Sequence, residues 1–369
     1  MILEGETAYY SKYMILTNYS NIKKLYNYTT MQEIYIEDFT LGEAPYNPVE
    51  DREGKIYYII IGGTLHRNDE QLLQIDTSNL IKNPLYYDSK TDSLWLASFE
   101  SNPAGNFVNF SVFEKPSAAT SNPNPYKISY DDIDSSITSC QAFAVKEDNI
   151  YIAYNNSNIL LTKKNDSSNT KASISLSNIT PALSGEVTDM AVLEDGTVAV
   201  LVNDKNLNPA NQFTLTDGCT VYSRGALVLL SSDLSTYKVY GWTDSPRTIS
   251  ATGSSSDYDV QWDKITAYIP EYAGRNSHFY GPMRIVAIRP KELVIADCGA
   301  NFVLPDYIGK KNGKMFTHNR LMTVNLRNFA IGCKKEFSES ELKFQYLTIS
   351  GNLESVTAGW TNLSAENEK

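Results

Sequence analysis

The residues of this chain best suited to chemistry lie mainly outside its apolar runs. Asp257, Asp259 and Asp263 bring carboxylate oxygens close together in sequence, as Asp204, Asn206 and Asn208 bring carboxylate and amide oxygens. Such oxygens suit calcium, but neither set has the Gly and the bidentate Glu of an EF-hand loop. No cofactor is therefore expected, with calcium as the alternative. The three histidines, His66, His278 and His318, show no HxH or HxxxH spacing, which argues against zinc. GxSxG, P-loop and GxGxxG motifs are absent, so the sequence names no catalytic residue. Paired carboxylates need only meet in space. A hydrolase or lyase with a metal or carboxylate site stays as the second reading.

Two further groups suit binding. Tyr258, Trp262, Tyr268, Tyr272, Phe279 and Tyr280 crowd one stretch together with Arg275 and His278. Flat rings beside a guanidinium supply contact area at low entropic cost, as protein and sugar recognition require. Gln141, Asp189 and Arg284 stand near the starts of three apolar runs, and the repeat pattern predicts that they face a common channel.

The elements that position these residues share one phrase: apolar strand, tight polar turn, apolar strand. It reads AFAVKEDNIYIAYN at Ala142–Asn155, MAVLEDGTVAVLVN at Met190–Asn203 and IVAIRPKELVIADC at Ile285–Cys298. Looser copies are LYYDSKTDSLWLASF at Leu85–Phe99 and REGKIYYIII at Arg52–Ile61. Short runs rich in Tyr, Val and Ile, bounded by Gly, Asn and Asp, read as β-hairpins. The second strands begin at Tyr13, Ile56, Leu94, Ile150, Val198 and Leu293. Most spacings are roughly 40–55 residues, the period of propeller blades.

One or two further strands follow most anchors, among them Ala226–Ser232, Tyr237–Thr243, Arg320–Leu326 and Lys343–Ile349. The expected fold is all-β, a single β-propeller domain over residues 1–369 with four-stranded blades. Six blades are favoured and seven are the alternative. The wide gap before Leu293 is read as an inserted loop at about residues 244–282. The first blade lacks its inner strand, and Ser355–Trp360 is expected to supply it, closing the ring by pairing the N- and C-terminal segments and leaving no open edge. The long connections, Glu100–Asn106, Pro116–Ile133, Asn203–Arg224, Asp244–Pro282 and Gly299–Asn319, are expected on one face.

Net charge is −11, which disfavours nucleic acid and anionic membranes as partners. The longest apolar run, Ile56–Ile61, is far too short to span a bilayer, so no transmembrane segment is expected. The N-terminus has no basic region and no small-residue cleavage site of a signal peptide. Four cysteines, Cys140, Cys219, Cys298 and Cys333, show no CxxC; buried free thiols are the simplest reading, with Cys298–Cys333 the pairing to expect if a disulfide forms.

The repeats at Met190–Asn203, Ala142–Asn155 and Asn319–Leu326 resemble those of bacterial β-propellers of the NHL and related superfamilies. The resemblance implies a propeller and leaves function open, because such propellers bind proteins, sugars and small ligands, and some are enzymes. Together these observations predict a monomeric, acidic, non-catalytic binding propeller. It would be extracytoplasmic or at the cell surface, engaging a protein or carbohydrate partner through its long-loop face.

Overall fold

A computed structural model describes most of residues 46–337, together with the backbone of three earlier strands. Its main breaks fall at residues 117–123, 130–136, 165–171, 204–211, 215–219, 243–278 and 304–314, and residues 338–369 lie outside it. The earliest strands are β1 (Tyr13–Thr17), β2 (Lys23–Asn27) and β3 (Glu33–Ile34). Blade I is β4 (Tyr46–Glu50), β5 (Ile56–Ile60), β6 (Thr64–Arg67) and β7 (Glu70–Gln74). Blade II is β8 (Leu80–Asp88), β9 (Ser93–Asn102), β10 (Gly105–Glu114) and β11 (Asn124–Ser129). Blade III is β12 (Cys140–Lys146), β13 (Asn149–Tyr154), β14 (Asn158–Lys163) and β15 (Ala172–Ser175).

The next strands are β16 (Glu186–Val192), β17 (Val198–Asn203), β18 (Gln212–Thr214), β19 (Thr220–Tyr222), β20 (Gly225–Leu230) and β21 (Tyr237–Tyr240). Blade IV is the sheet β16-β17-β20-β21. The last are β22 (Pro282–Arg289), β23 (Glu292–Asp297), β24 (Asn301–Val303), β25 (Met315–Thr317), β26 (Asn319–Asn325) and β27 (Ile331–Phe337). Blade V is β22-β23-β26-β27. All of these pairings are antiparallel.

Strand periodicity packs each blade against the next. In β13, Ile150, Ile152 and Tyr154 pack toward Trp95, Val108 and Phe110 of blade II. The alternating Tyr151 and Ala153 pack toward Met190, Val198 and Val200 of blade IV. In β17, Val198, Val200 and Val202 join that same core, whereas Ala199 and Leu201 join Leu293, Ile295 and Met322 of blade V. Blades I and II share Tyr57, Ile59, Leu85 and Leu94. Each middle strand thus reads apolar on both faces because a blade covers each side. The outer strands β7, β15 and β21 are exposed or half-buried along their length. This face-to-face stacking of four-stranded sheets is a β-propeller.

Five complete blades are present among the described residues, in place of the six expected or the alternative seven. The anchor at Tyr13 does form a strand, but β1-β2-β3 is a sheet of three. The proposed closing strand Ser355–Trp360 lies outside the described residues, as does the Cys298–Cys333 pairing; Cys140 is a free, buried thiol. Three smaller expectations are corrected. Glu100–Asn106 is a tight hairpin turn, because β9 and β10 pair out to Asn102 and Gly105. Pro116–Ile133 contains β11, the fourth strand of blade II. The fourth strand of blade V is Ile331–Phe337, one tight turn after β26, ahead of the expected Lys343–Ile349. Its IGCKKEF sequence hid it by carrying charge at an edge that needs little apolar content. No helix among the described residues is long and apolar enough to cross a membrane.

Blade I holds one unusual group. His66 stacks on Tyr58 with ring centroids 5.3 Å apart. Both imidazole nitrogens are buried and lack a hydrogen-bond partner. Burial holds its pKa below the usual value, so the folded protein keeps His66 neutral while the unfolded chain takes up a proton below about pH 6.5. The stabilising contribution of the neutral ring is therefore lost as pH falls below that point. Replacing His66 by Phe should keep the stack, remove two unsatisfied polar atoms and raise stability by about 1 kcal/mol. Melting curves between pH 7 and 5 should be flatter for the variant. A wild-type-like acid slope would show that His66 is not the titrating group.

Candidate functional site

The channel mouth is shaped by a repeated irregularity. The inner strands of blades III, IV and V each shift register against their second strand near their start, between Cys140 and Ala142, Val187 and Asp189, and Pro282 and Arg284. Such bulges re-aim side chains at the rims of closed sheets. Asp189 and Arg284 then occupy the same ladder step, opposite Leu201 and Ala296. The equivalent residue in blade III is Ala142, opposite Ala153.

Gln141 therefore sits at the bulge, one step away from the position with which the sequence pattern grouped it. It is 2% exposed. It donates to Ser139 Oγ at 3.0 Å and accepts from the Asn156 amide at 3.2 Å. Its role is to secure the start of blade III.

Asp189 and Arg284 do meet. Arg284 Nη1 lies 3.4 Å from Asp189 Oδ1 and donates to Asn83 Oδ1 at 2.6 Å. The Asp189 carboxylate also accepts from the backbone amides of Met190 at 3.0 Å and Ile285 at 2.8 Å. Burial pushes the Asp189 pKa above its ordinary value, against the opposing pull of Arg284 and the two amides. Thr188 Oγ1 donates to the Pro282 carbonyl at 2.7 Å. Asn83 also donates to the Thr188 carbonyl, and Lys82 pairs with Glu186.

Lys82 and Asn83 belong to blade II, which is separated from blade IV by blade III. Their contacts with Glu186, Thr188 and Arg284 therefore cross the axis. One opposite-charge pair, Lys82–Glu186, spans the mouth, the neighbouring Asn83 accepts from Arg284 of the Asp189–Arg284 pair, and the Lys82 side chain is 43% exposed. Lys82, Asn83 and Glu186 were not singled out in the sequence. A polar Lys-Asn opening an apolar strand was the available signal, though it equally fits a strand end in water.

From the same end of the strands two insertions take on structure. The β18–β19 hairpin leaves blade IV from Asn203, which pairs with Glu186, and returns at Gly225. The β24–β25 hairpin leaves blade V beyond Asp297, which pairs with Pro282. The two hairpins join through β19 and β24 into a four-stranded sheet, β18-β19-β24-β25. One ladder row runs Phe213, Val221, Phe302, Phe316 across all four strands. The sequence placed both insertions on one face and gave no sign that they pair.

The inserted stretch before blade V re-enters at Phe279. Its amide donates to the Gly241 carbonyl at 3.0 Å and its carbonyl accepts from the Gly225 amide at 3.1 Å. Phe279, which the sequence grouped with the binding aromatics, is instead fully buried in the core between blades IV and V. The predicted binding residues Tyr258, Trp262, Tyr272, Arg275, His278 and Tyr280 lie outside the described residues, as do Asp204, Asn206, Asn208, Asp257, Asp259 and Asp263. Among the described residues, no three His, Cys, Asp or Glu gather as a metal site would need.

Comparison with known proteins adds a family. The family described as the TdpA C-terminal domain matches residues 159–344, half of the chain, from β14 to just beyond β27. No curated protein matches. Among solved structures, the chain is similar to the β-propeller domain of Myceliophteria thermophila Cps50 (Swd1), at 12% identity and a TM-score of 0.37. That match covers 51% of this chain and 63% of the Cps50 domain, less than two thirds of its length. A chain of a mitotic checkpoint complex is similar at 8% identity and a TM-score of 0.38, over 66% of this chain and 68% of its own length.

Proposed function

This chain belongs to the TdpA C-terminal domain family, and we propose that it is a binding propeller. It engages a protein or glycan partner through the face that carries the β18–β19 and β24–β25 hairpins. The observation that supports this reading is the sheet itself. Two insertions from neighbouring blades, leaving from the end of the strands at which Asp189 and Arg284 lie, pair with each other and set Phe213, Val221, Phe302 and Phe316 in register. Nothing in the packing of blades IV and V requires such a sheet, since their own strands already complete the blade core. Aromatic rows of this kind supply the anchors of recognition surfaces. The aromatic and basic residues Tyr258, Trp262, Tyr272, Arg275, His278 and Tyr280 belong to the same proposed surface, since their segment joins the same two blades. A monomeric state, an extracytoplasmic setting and a bacterial, NHL-like origin are parts of the same proposal, suggested by composition and repeat pattern.

The test replaces Gln212–Tyr222 by an Asn-Gly turn in the full chain. The full chain is first screened against a glycan array and by crosslinking in cells. The replacement should weaken whichever contact is found by at least tenfold, with an unchanged melting curve. Undiminished binding by the variant would remove this face from consideration.

A further inference from the structure

We infer that residues 81–84 form a strap that shuts the channel mouth, and that salt-dependent release of this strap loosens the base of the hairpin sheet. At this end of blades III, IV and V the inner strand carries one residue outside its ladder, namely Gln141, Thr188 and Met283. Blade II departs from this pattern. Leu80 stands opposite Ser98 and Leu85 opposite Leu96, so residues 81–84 all face Ala97. An excess of this size arches out of the sheet, and Pro84 has no amide to give the ladder.

The arch has a buried foot and an exposed crown. Ile81, at 3% exposure, belongs to the core cluster of blades II and III that includes Ile137 and Cys140. Lys82 is exposed and pairs with Glu186 of blade IV. Asn83 donates to the Thr188 carbonyl and accepts from Arg284 Nη1 at 2.6 Å. These two side chains grip blades IV and V from blade II. An ion pair with so exposed a lysine is weak and is screened by salt, so the crown is the part of the strap that lets go first.

The grip ends at the root of the hairpin sheet. Glu186 is the ladder partner of Asn203, the last residue of β17 before the β18–β19 insertion. Asn203 pairs in turn with Gly225, the first residue of β20 after it. Asn203 Nδ2 also lies 3.7 Å from the sulfur of Met283, the residue before Arg284. The Gly225 amide donates to the Phe279 carbonyl at 3.1 Å. Release of Lys82 and Asn83 therefore removes a hold on the strand start against which this insertion is strung. The meaning of the strap for partner binding rests on the reading of the hairpin face given above, whereas the strap itself is tested with no partner present.

The experiment reads probes already in the full chain. Alkylation of Cys140, 6% exposed and in the same cluster as the foot, reports opening of the strap. Amide exchange at Gly225 reports the hairpin root. Neutral iodoacetamide is the reagent, and mass spectrometry of the Cys140 peptide separates it from Cys219, Cys298 and Cys333. Both rates follow the population of the open form. Raising salt from about 0.05 M to about 0.5 M should speed both by about threefold, the scale of an exposed ion pair. Lys82→Ala should do the same at low salt and abolish the salt response, which Lys82→Arg should retain. Asn83→Ala should speed both by about tenfold. Exchange at Ile152, in the middle of blade III, should stay constant, which separates strap release from global unfolding. Where a variant fails to fold, the salt titration of the unmodified chain decides. Salt-independent rates, or wild-type rates in Lys82→Ala, overturn the inference. Faster Cys140 labelling with unchanged Gly225 exchange overturns the coupling to the hairpin sheet. Failure to find a partner for the hairpin face leaves these rates standing, so the two readings fail separately.

Discussion

Asp189→Ala is expected to lower the stability of the folded chain by about 3 kcal/mol, the scale of breaking a buried charge pair by removing one partner. The variant leaves the backbone amides of Met190 and Ile285 without their acceptor. It also removes the carboxylate that lies 3.4 Å from the Arg284 guanidinium, whose side chain is 13% exposed. The effect should be specific to the blade IV–V junction. Amide exchange at Ile285 should accelerate more than at Ile152 in blade III.

The pH dependence has a definite sign. Burial raises the Asp189 pKa in the fold, so its contribution is most favourable below about pH 4 and declines as pH rises through the raised value. Asp189→Asn keeps an acceptor for one amide and cannot ionise. It should cost less than Asp189→Ala and lack this decline. A loss below about 1 kcal/mol for Asp189→Ala, in urea melts at neutral pH, would mean that the Asp189–Arg284 pair does not hold blades IV and V together.

Phe279→Ala is expected to cost about 4 kcal/mol, the range for emptying a fully buried aromatic site. The ring fills the space that two glycines leave. A Cβ at Gly241, which has φ +73°, would lie 2.3 Å from the Phe279 ring. At Gly225 it would lie 2.1 Å from Pro282 and 3.3 Å from Phe279 Cβ. Gly241→Ala should therefore also destabilise, by at least about 2 kcal/mol, from both overpacking and backbone strain. Guanidinium melts read both values, and the double variant should cost less than their sum, since removing the ring relieves the clash. Full additivity would show that the glycine and the ring are not coupled. The same residue anchors the end of the long insertion beside His278 and Tyr280, so binding by the hairpin face should weaken together with stability.

The blade core was legible because a strand covered on both sides must be apolar at every position. VAVLVN in β17 and NIYIAY in β13 satisfy that demand directly. The same logic failed at blade edges. β27 needs little apolar content, so Ile331–Phe337 was passed over for a more hydrophobic run downstream. β11 was hidden by its Pro and Asn residues in Asn124–Ser129. The blade count was overestimated because an apolar strand at Tyr13–Thr17 announces a sheet without fixing how many strands complete it.

The mouth was partly legible. Asp189 and Arg284 were found because polar residues opening an apolar strand are conspicuous, and Gln141 was misgrouped because a one-residue bulge cannot be seen in a linear pattern. What the sequence by itself determined is the hairpin repeat, the alternation that divides each middle strand between two neighbouring blades, and the acidic balance of the chain. These are local or compositional, so neighbouring residues suffice to specify them. Only the tertiary structure decided that Lys82 and Asn83 cross the axis to Glu186, Thr188 and Arg284, and that the insertions of blades IV and V zip together through β19 and β24. Both depend on pairings between segments about 80 or more residues apart, whose meeting is set by how the blades pack and leaves no periodic trace in the chain.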